Sequence, residues 1–145
     1  MNTRKHGDDV YSAWCQANYL YSRWAANHGI NYYSLVILYA LDTKGDITQR
    51  AICDYYGLPK QTTNTVIRSL KQQGYIILEE NKEDRREKNV VLTNKGKSYS
   101  TEILEPLYRL EKKVFDDIGE ERLIQMLETT KLFSILFEKN MEENE

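Results

Sequence analysis

Apolar positions return at helical spacing over most of the chain and give way near its middle to two short apolar runs. Between Asp9 and Asn27 they fall at Val10, Trp14, Ala17, Tyr21 and Trp24 or Ala25, the spacing of an amphipathic helix, and His28-Gly29 follows as its stop. Asn31 is placed to cap a second helix, Tyr32 to Leu41, which is apolar almost all round and therefore buried on most sides. Asp42 to Gly45 turns the chain, and Asp46-Ile47 has the composition of a short strand. Thr48 then opens a short helix to Tyr56 as its N-cap, and Gly57-Leu58-Pro59 makes a tight turn. Pro59 is taken as the first helical position of the next helix, in which Thr63, Val66, Ile67 and Leu70 form one stripe. Tyr75 to Glu80 and Asn89 to Thr93 are the two apolar runs, rich in Ile and Val. The wholly polar Asn81 to Lys88 between them predicts a hairpin with a charged tip. Thr93 or Asn94 caps a long helix to about Asp117, where Pro106 predicts a kink or local break. After Ile118-Gly119 a last helix begins with Glu120 and Glu121 at its positive end. Leu132, Phe133, Ile135, Leu136 and Phe137 lie along its apolar face.

Charge changes this picture from a set of helices to a molecule with a working side. The net charge of 145 residues is only −2, with an isoelectric point near 5.8, so the chain is no basic coat for nucleic acid. Its distribution is uneven. Lys60, Arg68, Lys71, Lys82, Arg85, Arg86, Lys88, Lys95 and Lys97 occupy the middle, whereas Asp116, Asp117, Glu120, Glu121, Glu128, Glu138, Glu142, Glu143 and Glu145 crowd the end. DNA would meet the middle and be repelled by the tail.

No apolar run approaches the length of a bilayer span, and the first nine residues lack the apolar core of a signal peptide, so a cytoplasmic protein is expected. Cys15 and Cys53, far apart and outside any C-x-x-C spacing, argue against a disulfide framework or zinc ribbon. With His6 and His28 they form no recognisable ligand set, so no metal or other cofactor is expected. Neither a nucleophile motif nor a Gly-rich phosphate loop is present, which speaks against an enzyme.

The helix after Pro59 carries the chemistry. A solvent face would ordinarily be mostly Lys and Glu, but here it holds Gln61, Asn64, Thr65, Arg68 and Gln72. Amides can bond adenine bidentately, a guanidinium can do so to guanine, and Thr can reach a base, a phosphate or a thymine methyl. A mixed polar surface is the alternative for this segment alone, but its flanks favour the first reading. A helix and tight turn precede it and a hairpin follows, which makes a winged helix-turn-helix.

The hairpin and its exit, Asp84-Arg85-Arg86-Glu87-Lys88-Asn89-Val90-Val91-Leu92-Thr93-Asn94-Lys95-Gly96, resemble the D-x-R...V-x-L-T-x-x-G signature of the MarR family of bacterial transcriptional regulators. The resemblance covers nearly the whole chain. It implies one domain over 1–145, mainly α with a small β-hairpin wing. Dimerisation helices would lie at about 9–30 and 97–141 and a winged helix-turn-helix region at about 46–96. Family-guided assignments give base readout to Gln61, Thr62, Asn64, Thr65 and Arg68. Phosphate contact goes to Lys60, Lys71, Lys82 and Lys88, because a point charge positions without specifying. Arg86 matches the R of the signature and would enter the minor groove from the wing tip, with Asp84 orienting the wing. Ile52 and Cys53 sit where such chains place an apolar residue followed by a small one, so Cys53 is read as a small buried hydrophobe.

The resemblance further implies a homodimer on a pseudo-palindromic operator, and a repressor released by a small molecule where the dimer helices meet the reading headpiece. Trp14, Tyr21, Trp24, Tyr32, Tyr33, Tyr39 and Tyr108 would wall that site for a planar aromatic or lipophilic effector. The same aromatics would equally serve as packing between helices. Cys15, a helical turn from Tyr11 and Tyr19, raises a second mechanism, since some MarR-like repressors sense peroxides with an N-terminal cysteine held by tyrosine hydroxyls. A buried structural thiol is the alternative there, no basic neighbour being evident. A helical adaptor that binds only protein would account for the outer helices but not for the wing.

Overall fold

The helix that is apolar on every side becomes α2 (Tyr32–Lys44), around which the rest is built. Its cap is the expected one: Asn31 Oδ1 accepts from the backbone N–H groups of Tyr33 at 2.9 Å and Ser34 at 3.4 Å. Leu35, Ile37, Leu38, Ala40 and Leu41 are all buried. In this computed structural model, which describes residues 1–144, α2 follows α1 (Thr3–Asn27) and precedes β1 (Ile47–Thr48), α3 (Gln49–Tyr56) and α4 (Lys60–Gln72). The chain continues as β2 (Ile76–Glu80), β3 (Lys88–Leu92), α5 (Asn94–Ile118) and α6 (Glu120–Glu143).

One antiparallel sheet of order β1-β3-β2 holds the hairpin, with Glu80 opposite Lys88 and Ile76 opposite Leu92. The strand expected at Asp46-Ile47 exists one residue later, as Ile47 opposite Val90 and Thr48 opposite Asn89. Ile37, Ala40 and Leu41 of α2 meet Ile52 of α3, Leu58, Ile67 and Leu70 of α4, Ile76 of β2 and Val90 of β3 in one cluster. Burying each Ile or Leu side chain there contributes about 1.5–3 kcal/mol.

Five expectations need correction. The second helix, expected to end at Leu41, runs on to Lys44, so that of the turn expected at Asp42 to Gly45 only Gly45, the C-cap, lies outside it. The first helix begins at Thr3, well before Asp9, because Asn2 Oδ1 accepts from Lys5 N–H at 3.2 Å and caps it there. Pro59 is the N-cap, not the first helical residue. Its ψ of 131° is extended, as a residue outside the helix must be, and α4 starts at Lys60. Of the kink or local break expected at Pro106, the break is not there: α5 runs as one helix from Asn94 to Ile118. A proline removes one helical hydrogen bond, and a helix of this length tolerates the loss. Between the runs of the hairpin, Lys88 belongs to β3, so the tip shortens to Asn81–Glu87.

The chain divides into two compact units, Met1–Leu104 and Glu105–Glu145. The first holds the core cluster, the sheet and α1 to α4. In the second, α6 buries none of its residues, and Phe133 stacks on Phe137 with ring centres 5.6 Å apart. Arg109–Glu105 at 3.7 Å and Lys139–Glu143 at 3.8 Å are exposed ion pairs of helical spacing, worth a few tenths of a kcal/mol each. Among the described residues no helix is long and apolar enough to cross a membrane.

Candidate nucleic-acid interface

The inner stripe of α4 fixes its outer face. Thr63, Ile67 and Leu70 are buried, and the hydroxyl of Thr63 is satisfied by donating to the Pro59 carbonyl at 3.0 Å. The turn before α4 uses Gly57 in the left-handed region, φ 61°, which glycine adopts without steric cost. Behind α4, Lys95 Nζ donates to the Gln73 carbonyl at 2.7 Å and Thr93 Oγ1 to the Gly74 carbonyl at 2.6 Å. The last turn of α4 and the first turn of α5 are thereby tied. Thr93 Oγ1 also accepts from Gly96 N–H at 3.0 Å, which settles Thr93 as the cap of α5.

Held in this way, α4 exposes Lys60, Gln61, Asn64, Thr65, Arg68 and Lys71 together, while Thr62 is half-buried. Thr65 donates its hydroxyl proton to the Gln61 carbonyl at 3.1 Å, leaving its oxygen and methyl group outward. Asn64 Oδ1 accepts from Gln49 Nε2 of α3. Nothing local in the sequence points to Gln49, since residues fifteen positions apart share no pattern. Among the described residues, Lys60, Arg68, Lys71, Lys82 and Lys88 are in no ion pair, whereas Arg85 reaches Glu80 at 4.0 Å and Arg50 reaches Glu87 at 3.8 Å. The lysines and the arginine assigned to DNA on α4 and the wing lysines are therefore uncompensated, whereas Arg86 at the wing tip is paired with Asp84.

The wing tip is organised by two short side chains. Asn81 Oδ1 accepts from the N–H groups of Glu83 and Asp84, both at 2.9 Å, and Asn81 Nδ2 donates to Asn89 Oδ1 at 2.9 Å. Asp84 then takes Arg86 N–H on Oδ1 at 3.0 Å, Arg86 Nε on Oδ1 at 3.2 Å and Nη2 on Oδ2 at 3.3 Å. These bonds hold the Asp84 carboxyl below its usual range. The Arg86 side chain stays 91% exposed, so its orientation is set while most of it faces solvent. Asn81 was also overlooked; the habit of Asn to bond the backbone two residues on is the signal that would have found it.

Of the aromatics proposed for an effector, Tyr32 and Tyr33 meet edge to face at 5.4 Å, and Tyr32 Oη donates to Asn18 Oδ1 of α1 at 2.7 Å. Burial pushes the Tyr32 phenol above its usual value. Trp24 lies on the His28 ring at 3.8 Å, and His28 Nδ1 donates to the Trp24 carbonyl at 2.8 Å, which makes His28 part of the α1 stop. Trp14 and Tyr21 are exposed on α1, Tyr39 is half-buried on α2, and Tyr108, also half-buried, belongs to the second unit. Two thiol expectations fail. Cys15 is exposed, not buried, and it makes no hydrogen bond to Tyr11 or Tyr19, which are themselves exposed. Cys53 is half-buried beside the fully buried Ile52. Among the described residues no three His, Cys, Asp or Glu side chains come together to hold a metal ion.

Known proteins share this arrangement. A model of the MarR family matches residues 28–87, from the end of α1 to the wing tip. The structure of NMB1585, a MarR family regulator from Neisseria meningitidis, aligns with a TM-score of 0.85 at 30% identity over 100% of both chains. YwoH of Bacillus subtilis, an uncharacterized HTH-type transcriptional regulator, is 32% identical over 85 residues, 59% of this chain. That match spans about three-fifths, 61%, of YwoH itself. The fold alone is shared with Bordetella bronchiseptica BpsR, with a TM-score of 0.67 and 17% identity over 88% of this chain and 91% of that one. DNA binding by BpsR is regulated by 6-hydroxynicotinic acid. With a winged helix of matching topology, a full-length alignment to a family regulator and the family's own match across the reading region, the chain belongs to the MarR family of transcriptional regulators.

Proposed function

We propose that the protein is a sequence-specific DNA-binding regulator acting as a homodimer on a pseudo-palindromic operator in the cytoplasm. The observation that carries this is the exposed face of α4, where Gln61, Asn64, Thr65 and Arg68 present amides, a hydroxyl and an unpaired guanidinium beside a wing whose arginine is held at its tip. α4 would lie in the major groove with Gln61, Thr62, Asn64, Thr65 and Arg68 at base edges. Lys60, Lys71, Lys82 and Lys88 would rest on phosphates, and Arg86, steadied by Asp84, would enter the minor groove. Two copies joined through α1 and α6 would set their reading helices about 34–36 Å apart, one turn of duplex.

Repression relieved by a small planar effector completes the reading. Tyr32 and Tyr33, with Asn18 across from them, offer aromatic faces and one polar anchor between α1 and α2. The heteroaromatic acid that regulates BpsR is of the same chemical class. A peroxide switch at Cys15 has less support, because no tyrosine hydroxyl holds that thiol. Equal responses of the wild type and Cys15→Ser to hydroperoxide dismiss it. An adaptor without DNA affinity leaves the ordered wing without a use.

Selection of DNA from a random pool, followed by affinity measurements at two salt concentrations, tests the proposal. Arg68→Ala is expected to lose about 1–3 kcal/mol at particular operator bases, and Lys82→Ala to weaken all sequences alike and reduce the salt slope by about one. Equal, sequence-blind losses for the two variants would remove α4 as the reading element.

A further inference from the structure

We infer that Gln49 is a positioning residue for Asn64, deciding which edge of the Asn64 amide faces a base; the inference rests on α4 being the reading helix. Gln49 is the first residue of α3, and its place is fixed from the preceding position. Thr48 Oγ1 accepts from Ala51 N–H at 3.1 Å, and Thr48 pairs opposite Asn89 in the sheet. Asn64 stands on the exposed face of α4, one turn before Arg68, and its Oδ1 is the acceptor for Gln49 Nε2.

An asparagine amide that is free in solvent turns through half a circle and offers either its carbonyl or its NH2 group. Here a turn of the Asn64 amide alone loses the Gln49 hydrogen bond and sets two NH2 groups against each other, and only a joint turn of both amides keeps a bond, in the reverse direction. Asn64 therefore points its Nδ2 hydrogens outward. They match the acceptors of the major groove, N7 and O6 of guanine, N7 of adenine and O4 of thymine, and are mismatched with cytosine, whose only group there is the N4 donor. The bidentate contact to adenine is weakened as well, since it needs the same Oδ1 that Gln49 already occupies. Gln49 thus shapes the operator without having to touch it, and it narrows a versatile residue to the donor role. The reversed bond, from Asn64 Nδ2 to Gln49 Oε1, would turn Oδ1 outward and favour cytosine, so the direction of the bond can be read in the DNA that is selected.

The experiment compares sequences selected from a random pool by the full-length wild type, Gln49→Lys, Gln49→Glu and Gln49→Ala. Lys can only donate, so Gln49→Lys keeps the wild-type preference. Glu can only accept, so Gln49→Glu draws Nδ2 inward and moves preference towards cytosine by roughly three- to tenfold at one position per half-site, the worth of one hydrogen bond. Gln49→Ala broadens that position, and adding Asn64→Ala to each background erases the differences. Both charged variants also shift overall affinity, in opposite senses, but a change of charge alone moves every sequence together and inverts no base. Retained selection with identical base preferences in all Gln49 variants overturns the inference and leaves α4 as the reading helix. A wild type that selects no sequence overturns that reading, and the inference falls with it.

Discussion

At the scale of single residues, the pair Asp84–Arg86 makes a sign-definite claim about pH. Arg86 gives the Asp84 carboxylate three hydrogen bonds, and they depress its pKa. A carboxyl whose value is lower in the folded state stabilises that state above its unfolded value and loses the effect as pH falls through the folded one. The wing-tip lock is therefore complete at neutral pH and opens only in acid, below the ordinary carboxylate range. Titrating the Asp84 carboxyl by NMR should give a midpoint under that of a free aspartate; one at or above it would show that the lock does not form in solution. Asp84→Asn leaves a single neutral acceptor for Arg86, and operator affinity is expected to fall by about two- to tenfold. In the sequence, Asp84 and Arg86 stand out only through the family signature. Their geometry depends on Asn81, which turn chemistry could have exposed, and the bond from Gln49 to Asn64 had no local trace at all.

At the scale of elements, the exit from the wing explains why its sequence reads Thr93-Asn94-Lys95-Gly96. α5 starts so close to the residue before β2 that a Cβ on Gly96 would collide with the Tyr75 carbonyl oxygen and lie 3.2 Å from Leu92 Cδ2. That carbonyl is already the acceptor for Thr93 N–H at 3.0 Å, and Tyr75 stacks on Tyr99 at 4.1 Å, so neither side can yield cheaply. Gly96→Ala should destabilise the fold by about 1–3 kcal/mol, seen as a lower denaturant midpoint with unchanged slope. Wild-type stability in that variant would mean that the start of α5 does not pack against Tyr75 this closely. The order of elements was legible because each long stripe or short run has a period or a cap. Boundaries were less so, for identifiable reasons: Asn2 caps α1 ahead of any periodic residue, and Pro59 fits both sides of a helix start. β1, with two residues, has no period and exists because Val90 and Asn89 are there to pair with it.

At the scale of the molecule, the proposed homodimer is to be judged on the terminal helices. Apolar residues stand exposed on both terminal helices: Val10, Trp14 and Leu20 on α1, and Leu132, Ile135, Leu136 and Phe137 on α6. The apolar face of α6 was legible in the sequence; that it stays open was not, because periodicity reveals an apolar face and never says which chain covers it. Leu136→Glu places a charge on that face without touching anything buried within the subunit, so the reading region should keep its fold. If a second copy covers α6, sedimentation equilibrium will show a dimeric wild type and a monomeric variant. Operator affinity will drop by about 10²–10⁴ through loss of tethering, while affinity for an isolated half-site changes little. A wild type that sediments as a monomer at micromolar concentration yet binds the full palindrome as tightly as before would remove the homodimer from the mechanism and leave the reading face of α4 to act alone.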